Sequence, residues 1–122
     1  MPIGFNPNEI FDKDRIMEQI NNDTELLIKM IGLFSASYPK SVVSIKNSIT
    51  QNDSRSLQRS AHTLKGSISN FASDIVYNIA SDLEIMGRDN DMPNAKETCI
   101  KLEREIEKLM LALDMYRKEI DS

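Results

Sequence analysis

Ser60-Ala61-His62-Thr63-Leu64-Lys65-Gly66-Ser67-Ile68-Ser69-Asn70-Phe71 is the stretch on which the reading of this chain turns, because it holds the sole histidine among 122 residues. On a helical wheel advancing about 100° per residue, Leu57, Ala61, Leu64, Ile68 and Phe71 gather on one side, whose centre lies roughly 140° from His62. That apolar side has to be buried. His62 therefore faces water, together with Arg55, Gln58, Arg59, Lys65, Gly66 and Ser69.

Lys65 and Gly66 lie three and four residues beyond the histidine, so both sit beside the imidazole on the adjacent turn. Glycine inside a helix costs about 1 kcal/mol relative to alanine. Its presence here is explained by access, since without a Cβ at position 66 another molecule can approach the ring closely.

The run His62-Thr63-Leu64-Lys65-Gly66-Ser67, continuing through Asn70-Phe71, resembles the His-x-Leu-Lys-Gly-Ser signature of histidine-containing phosphotransfer (HPt) domains. Leu83-Glu84 on the next helix and Gly87-Arg88 closing it resemble the family as well, and the likeness in element lengths extends from about Ile10 to Ile120. One departure is visible: the family commonly has glycine ten residues after the histidine, where this chain has Ala72, a residue strained at a positive φ.

The resemblance implies a phosphorelay intermediate. His62 Nε2 would take a phosphoryl group from an aspartyl phosphate on a receiver domain and pass it to another receiver aspartate. Lys65 would supply positive charge to the phosphoryl oxygens, Gly66 the access, and Glu84 a hydrogen bond to the other ring nitrogen that fixes the tautomer. Arg55, Gln58, Arg59 and Ser69 are candidates for docking the partner, which would be a receiver domain of a response regulator or of a hybrid sensor histidine kinase. No cofactor or metal is expected on this chain; Mg2+ would belong to the receiver's acidic pocket.

Composition sets the bounds within which this reading operates. A length of 122 residues with 40% hydrophobic content suits one core. With 4 Gly, 4 Pro and no Trp, and with Leu, Ile, Met, Lys and Glu abundant, the chain leans towards all-helical. No unbroken apolar run of about 18 residues and no signal-peptide pattern is present, so a cytoplasmic location without membrane contact is expected. Cys99 is the only cysteine, which excludes an intramolecular disulfide or a zinc cluster and leaves it a small core residue. The net charge of −4 argues against nucleic acid. Between Asp53 and Ser73 the balance reverses, with Arg55, Arg59 and Lys65 against Asp53 alone, so an acidic partner surface would be drawn to the histidine helix.

Taken in order, residues 1–9 read as an irregular arm in which Phe5 could tuck against the core, and 10–122 as a single helical domain. A short helix from about Asn8 to Ile20 buries Phe11, Ile16, Met17 and Ile20. Asn22 and Glu25 resemble a capping box opening the next helix. There Leu27, Ile31, Phe34, Tyr38, Val42, Ile45 and Ile49 keep one phase straight through Pro39, which predicts one long bent helix, with two helices meeting near Ser37 as the competing reading. Asp53 is the expected N-cap of the histidine helix, which runs to about Phe71. Ser73 and Asp74 open a helix burying Ile75, Ile79, Leu83 and Met86, and Gly87 to Asp91 end it. Pro93 suits the first turn of a final helix carrying Cys99, Leu102, Ile106, Leu109, Leu113, Tyr116 and Ile120.

Four long amphipathic helices with short polar turns imply an all-α, antiparallel up-down four-helix bundle, with an additional short N-terminal helix closing one end. The last helix could instead form a coiled-coil seam; Met110 and Leu111 broaden its apolar side and favour burial inside the bundle, hence a monomer. Three other functions compete: a receiver-binding adaptor that accepts no phosphate, a structural bundle, and the dimerising histidine helix pair of a sensor kinase. The last usually has an acidic residue after the histidine, where this chain has Thr63, and no glycine-rich nucleotide-binding segment is present. A carrier without turnover of its own, rather than an ATP-dependent kinase, is the expectation.

Overall fold

A computed structural model describes residues 7–121, whose elements are Pro7–Ile10 (α1), Lys13–Gln19 (α2), Thr24–Thr50 (α3), Ser54–Ile68 (α4) with a single 3-10 turn Ser69–Phe71, Asp74–Arg88 (α5) and Ala95–Asp121 (α6). The expected bundle is observed: α3 to α6 pack each against the next and α6 closes on α3. Cross-helix contacts confirm antiparallel neighbours, since Ser48 meets Ser56, Phe34 meets Phe71 and Lys46 meets Glu103.

The N-terminal helix predicted from Asn8 to Ile20 is two pieces instead of one. Residues 7–9, expected to be irregular, belong to α1; residues 1–6, including Phe5, lie outside the described residues. Asp12 causes the break. It is extended (φ −104°, ψ 103°), its side chain accepts the Arg15 backbone N–H, and its own N–H donates to the Ala72 carbonyl at 3.0 Å. This elbow buries Phe11 and Ile16 and lays α2 across the far end of the bundle, where Arg15 pairs with Asp74 at 2.9 Å and Lys13 lies 4.9 Å from the Tyr116 ring centre.

Helix α3 starts one residue later than the sequence suggests. Asn21 and Asn22 occupy left-handed conformations (φ 54° and 59°), and Asp23, not Asn22, caps the helix by accepting the Leu26 N–H. Asparagine tolerates that geometry better than most side chains. The helix then runs unbroken through Pro39. A proline inside a helix costs about 3 kcal/mol. Each fully buried aliphatic side chain returns about 1.5–3 kcal/mol, and the stripe keeps Leu27, Ile31 and Phe34 buried before the proline and Val42 and Ile45 after it, so continuity wins.

By length and composition α3 is apolar enough to cross a bilayer, a test that the core helix of a bundle also passes. Its outer side carries Gly32, where an added Cβ would meet nothing within 4 Å. Gly32→Ala is therefore expected to raise unfolding stability by about 1 kcal/mol, read from the midpoint of a denaturant titration.

Helix α4 is capped by Asp53, whose carboxylate accepts the Ser56 N–H at 3.1 Å, as expected. Leu57, Ala61, Leu64, Ile68 and Phe71 are all buried. The turn after it contains the left-handed residue anticipated from the missing glycine: Ala72 has φ 51° and ψ 42°. Left-handed geometry costs an alanine about 1–2 kcal/mol. Burial of its methyl and the hydrogen bond from Asp12 to its carbonyl offset that cost.

Ser73 caps α5, but the buried stripe is Val76, Ile79, Ala80, Leu83 and Gly87; Ile75, expected inside, is exposed and Met86 is half-buried. The helix ends at Arg88, inside the stretch from Gly87 to Asp91 expected to close it. Pro93 lies in the turn ahead of α6, two residues before its start, not in the helix's first turn. Cys99, Leu102, Ile106, Leu109 and Leu113 are buried within the chain's own bundle, and burial pushes the Cys99 thiol pKa up. Leu111, counted as broadening that buried side, is exposed.

Candidate functional site

The core stripe of α4 dictates where its other residues point. With Ala61 and Leu64 inside, His62 projects outward and its side chain is 69% exposed. On α5 the Leu83 side chain faces the core, which swings its neighbour Glu84 into the seam between α4 and α5, where its side chain is 20% exposed.

Three predicted residues meet there. His62 Nδ1 lies 2.9 Å from Glu84 Oε2, and Lys65 Nζ lies 2.6 Å from Glu84 Oε1. Glu84 thus bridges two side chains of α4. The Lys65 ammonium also lies 5.8 Å from the Tyr77 ring centre, within the range of a cation–π contact.

The electrostatics follow from that bridge. Lys65 chiefly, and His62 to a smaller extent, hold the Glu84 carboxyl below the usual glutamate range, with partial burial opposing them. Glu84 in turn raises the Lys65 pKa. An ionised carboxylate can only accept hydrogen bonds, so Nδ1 is the donating nitrogen and the lone pair of the neutral ring is on Nε2. A carboxyl pKa depressed by folding contributes stability at pH values above the unfolded pKa, and that contribution is lost as the pH falls through the folded value. Lys65→Met is accordingly expected to move the Glu84 titration midpoint upward, which a carbon-13 carboxyl NMR titration would detect.

The remaining predicted residues divide. Gly66 is exposed, and a Cβ there would meet nothing within 4 Å, so the space beside the ring is open. Ser69 donates its hydroxyl to the Gly66 carbonyl at 2.6 Å. Arg55 and Arg59 are exposed, and their guanidinium groups have no hydrogen-bonded or ionic partner among the described residues. Gln58, expected on the open face, is half-buried in the α4–α5 seam. The sequence assigned the local positive charge to Lys65 as well as the arginines; with Glu84 in place, Arg55 and Arg59 are the unpaired cations of α4.

Sequence reasoning placed Gly87 only at the close of its helix and missed its packing role. A Cβ added there would lie 2.5 Å from Gln58 N, 2.8 Å from Gln58 Cα and 2.8 Å from the Ser54 carbonyl oxygen. The signal was present, because Gly87 continues the four-residue spacing of Ile79 and Leu83. Among the described residues no three His, Cys, Asp or Glu side chains gather as a metal-binding group.

A sequence profile described as Hpt domain matches residues 29–112. No curated protein matches the chain. Among solved structures, the crystal structure of histidine-containing phosphotransfer protein B (HptB) from Pseudomonas aeruginosa PAO1 is similar, with 19% identity over 90% of this chain and 96% of that chain and a TM-score of 0.81. At that identity the likeness is one of fold.

Proposed function

The chain belongs to the Hpt domain family, and on that basis we propose that it is a phosphocarrier whose acceptor atom is His62 Nε2. The observation that carries the assignment is the exposed imidazole with Nδ1 2.9 Å from the Glu84 carboxylate. The step is a displacement at phosphorus. The Nε2 lone pair forms the N–P bond while the bond from phosphorus to the receiver's aspartyl oxygen breaks, and that aspartate leaves as a carboxylate. The ring, still protonated at Nδ1, becomes cationic, and Glu84 stabilises it through the same hydrogen bond. Return of the phosphoryl group to a second receiver aspartate reverses these events.

Lys65 serves this chemistry by keeping Glu84 ionised and in place; the N–H donors it does not spend on Glu84 are available to phosphoryl oxygens. The open side at Gly66 admits the receiver, and Arg55, Arg59, Gln58 and Ser69 lie along the helix that would meet it, the arginines attracting its acidic pocket. Positioning and charge neutralisation are what phosphoryl transfer chiefly requires. Mg2+ is supplied from the receiver's side, and no ATP-dependent step occurs on this chain. Partners are receivers of response regulators or of a hybrid sensor kinase.

The test is incubation of the purified protein with radiolabelled phosphorylated receivers from the same organism. An acid-labile, alkali-stable label on this chain is expected. Receiver binding without any label would identify an adaptor instead, and labelling by ATP alone would identify a kinase.

A further inference from the structure

We propose that Gly87 is a positioning residue for His62: its missing side chain sets the distance between α4 and α5 at which the Glu84 carboxylate reaches Nδ1. Helices α4 and α5 run antiparallel, so the Gln58–Gly87 contact and the His62–Glu84 hydrogen bond are successive rungs of one seam. They are separated by one helical turn, about 5 Å along the axes.

The atoms that a Cβ at position 87 would strike are Gln58 N and Cα and the Ser54 carbonyl oxygen, all of them main-chain. No rotamer change can clear main-chain atoms. Restoring an ordinary contact of about 3.5 Å from 2.5 Å requires the helices to part by about 1 Å at that level. The same parting one turn away stretches the 2.9 Å His62–Glu84 contact beyond the reach of a hydrogen bond. Lys65 does not prevent it. Lys65 and His62 both belong to α4, and Lys65 holds the carboxylate by its other oxygen, so when the seam opens the longer, more flexible lysine side chain follows Glu84 and the imidazole loses it.

The chemical consequence lies in the tautomer. Freed from Glu84, the neutral ring places its proton preferentially on Nε2, the atom that must carry the lone pair for attack on phosphorus. This inference rests on the phosphocarrier reading for its effect on transfer, while the tautomer itself can be read without any phosphate.

The experiment is Gly87→Ala, with nitrogen-15 ring shifts of His62 recorded at a pH where the ring is neutral, alongside phosphotransfer kinetics. Gly32→Ala, remote on α3 and open to a Cβ, supplies a stabilised background if the single variant unfolds. Leu102→Ala, a core change on α6, serves as a destabilised control. Expected are an Nδ1–H ring in the parent and in Leu102→Ala, a shift towards Nε2–H in Gly87→Ala, and transfer slowed by about tenfold or more. An unchanged tautomer in folded Gly87→Ala overturns the proposal, as does the same shift in Leu102→Ala. If the tautomer shifts but not even the parent protein is labelled by any receiver, the phosphocarrier reading fails and the positioning role of Gly87 stands.

Discussion

His62→Gln is expected to abolish phosphohistidine labelling completely while leaving the melting temperature within about 3 °C of the parent. The loss is total because no other histidine exists to take over the reaction. The stability is spared because the side chain is 69% exposed and contributes nothing to the core, and surface substitutions of this kind stay within about 0.5 kcal/mol. Glutamine also offers an amide N–H to the Glu84 carboxylate, so the bridge to Lys65 keeps a partner. Thermal unfolding followed by circular dichroism and a labelling gel on the same preparation check both halves. Residual alkali-stable label in the variant would place the acceptor elsewhere.

Gly66→Arg should separate access from folding in the opposite sense. A Cβ at position 66 meets nothing within 4 Å, and arginine is a better helix former than glycine by about 0.7–1 kcal/mol, so the variant is expected to melt a few degrees higher than the parent. The same long side chain stands beside the imidazole, one turn along α4. Displacing an incoming phosphoryl group by about 1 Å costs on the order of a hundredfold in rate, so transfer should fall by at least that factor. Single-turnover transfer from a phosphorylated receiver measures it. A stabilised variant that still transfers at the parental rate would mean that the receiver does not approach across this face.

What the sequence revealed of this site and what it hid divide along a physical line. The orientation of His62 followed from five apolar residues in one phase, a local pattern that the bundle had no reason to override. The caps at Asp53 and Ser73 were equally local, each side chain serving a backbone N–H three residues away. The contact between Glu84 and His62 spans 22 residues, and no periodicity encodes it; the family likeness supplied it. That Lys65 spends its charge on Glu84 was hidden for the same reason.

Other misreadings came from rules of local structure meeting tertiary packing. A glycine followed by a polar turn reads as a helix end and nothing more, yet the glycine at 87 also serves the approach of a neighbouring backbone. Asp12 reads as an ordinary surface residue of one helix until Ala72 appears as the acceptor of its N–H. In α5 Ile79 and Leu83 are buried as read, but at the start of the stripe Val76 takes the place expected of Ile75, because both are aliphatic and only the packed neighbours distinguish them.

The tie between Asp12 and Ala72 has a practical consequence for anyone wishing to excise the bundle. A clone beginning at Thr24 would hold all four long helices and the acceptor, and would look complete. It would lack the donor to the Ala72 carbonyl and the guanidinium on Asp74, and would bare the apolar surface now sheltered by Phe11 and Ile16. The corner from which α5 departs towards Glu84 would then retain an alanine in an unfavourable backbone shape with less to hold it, so trimming at one end of the chain would be felt at the imidazole.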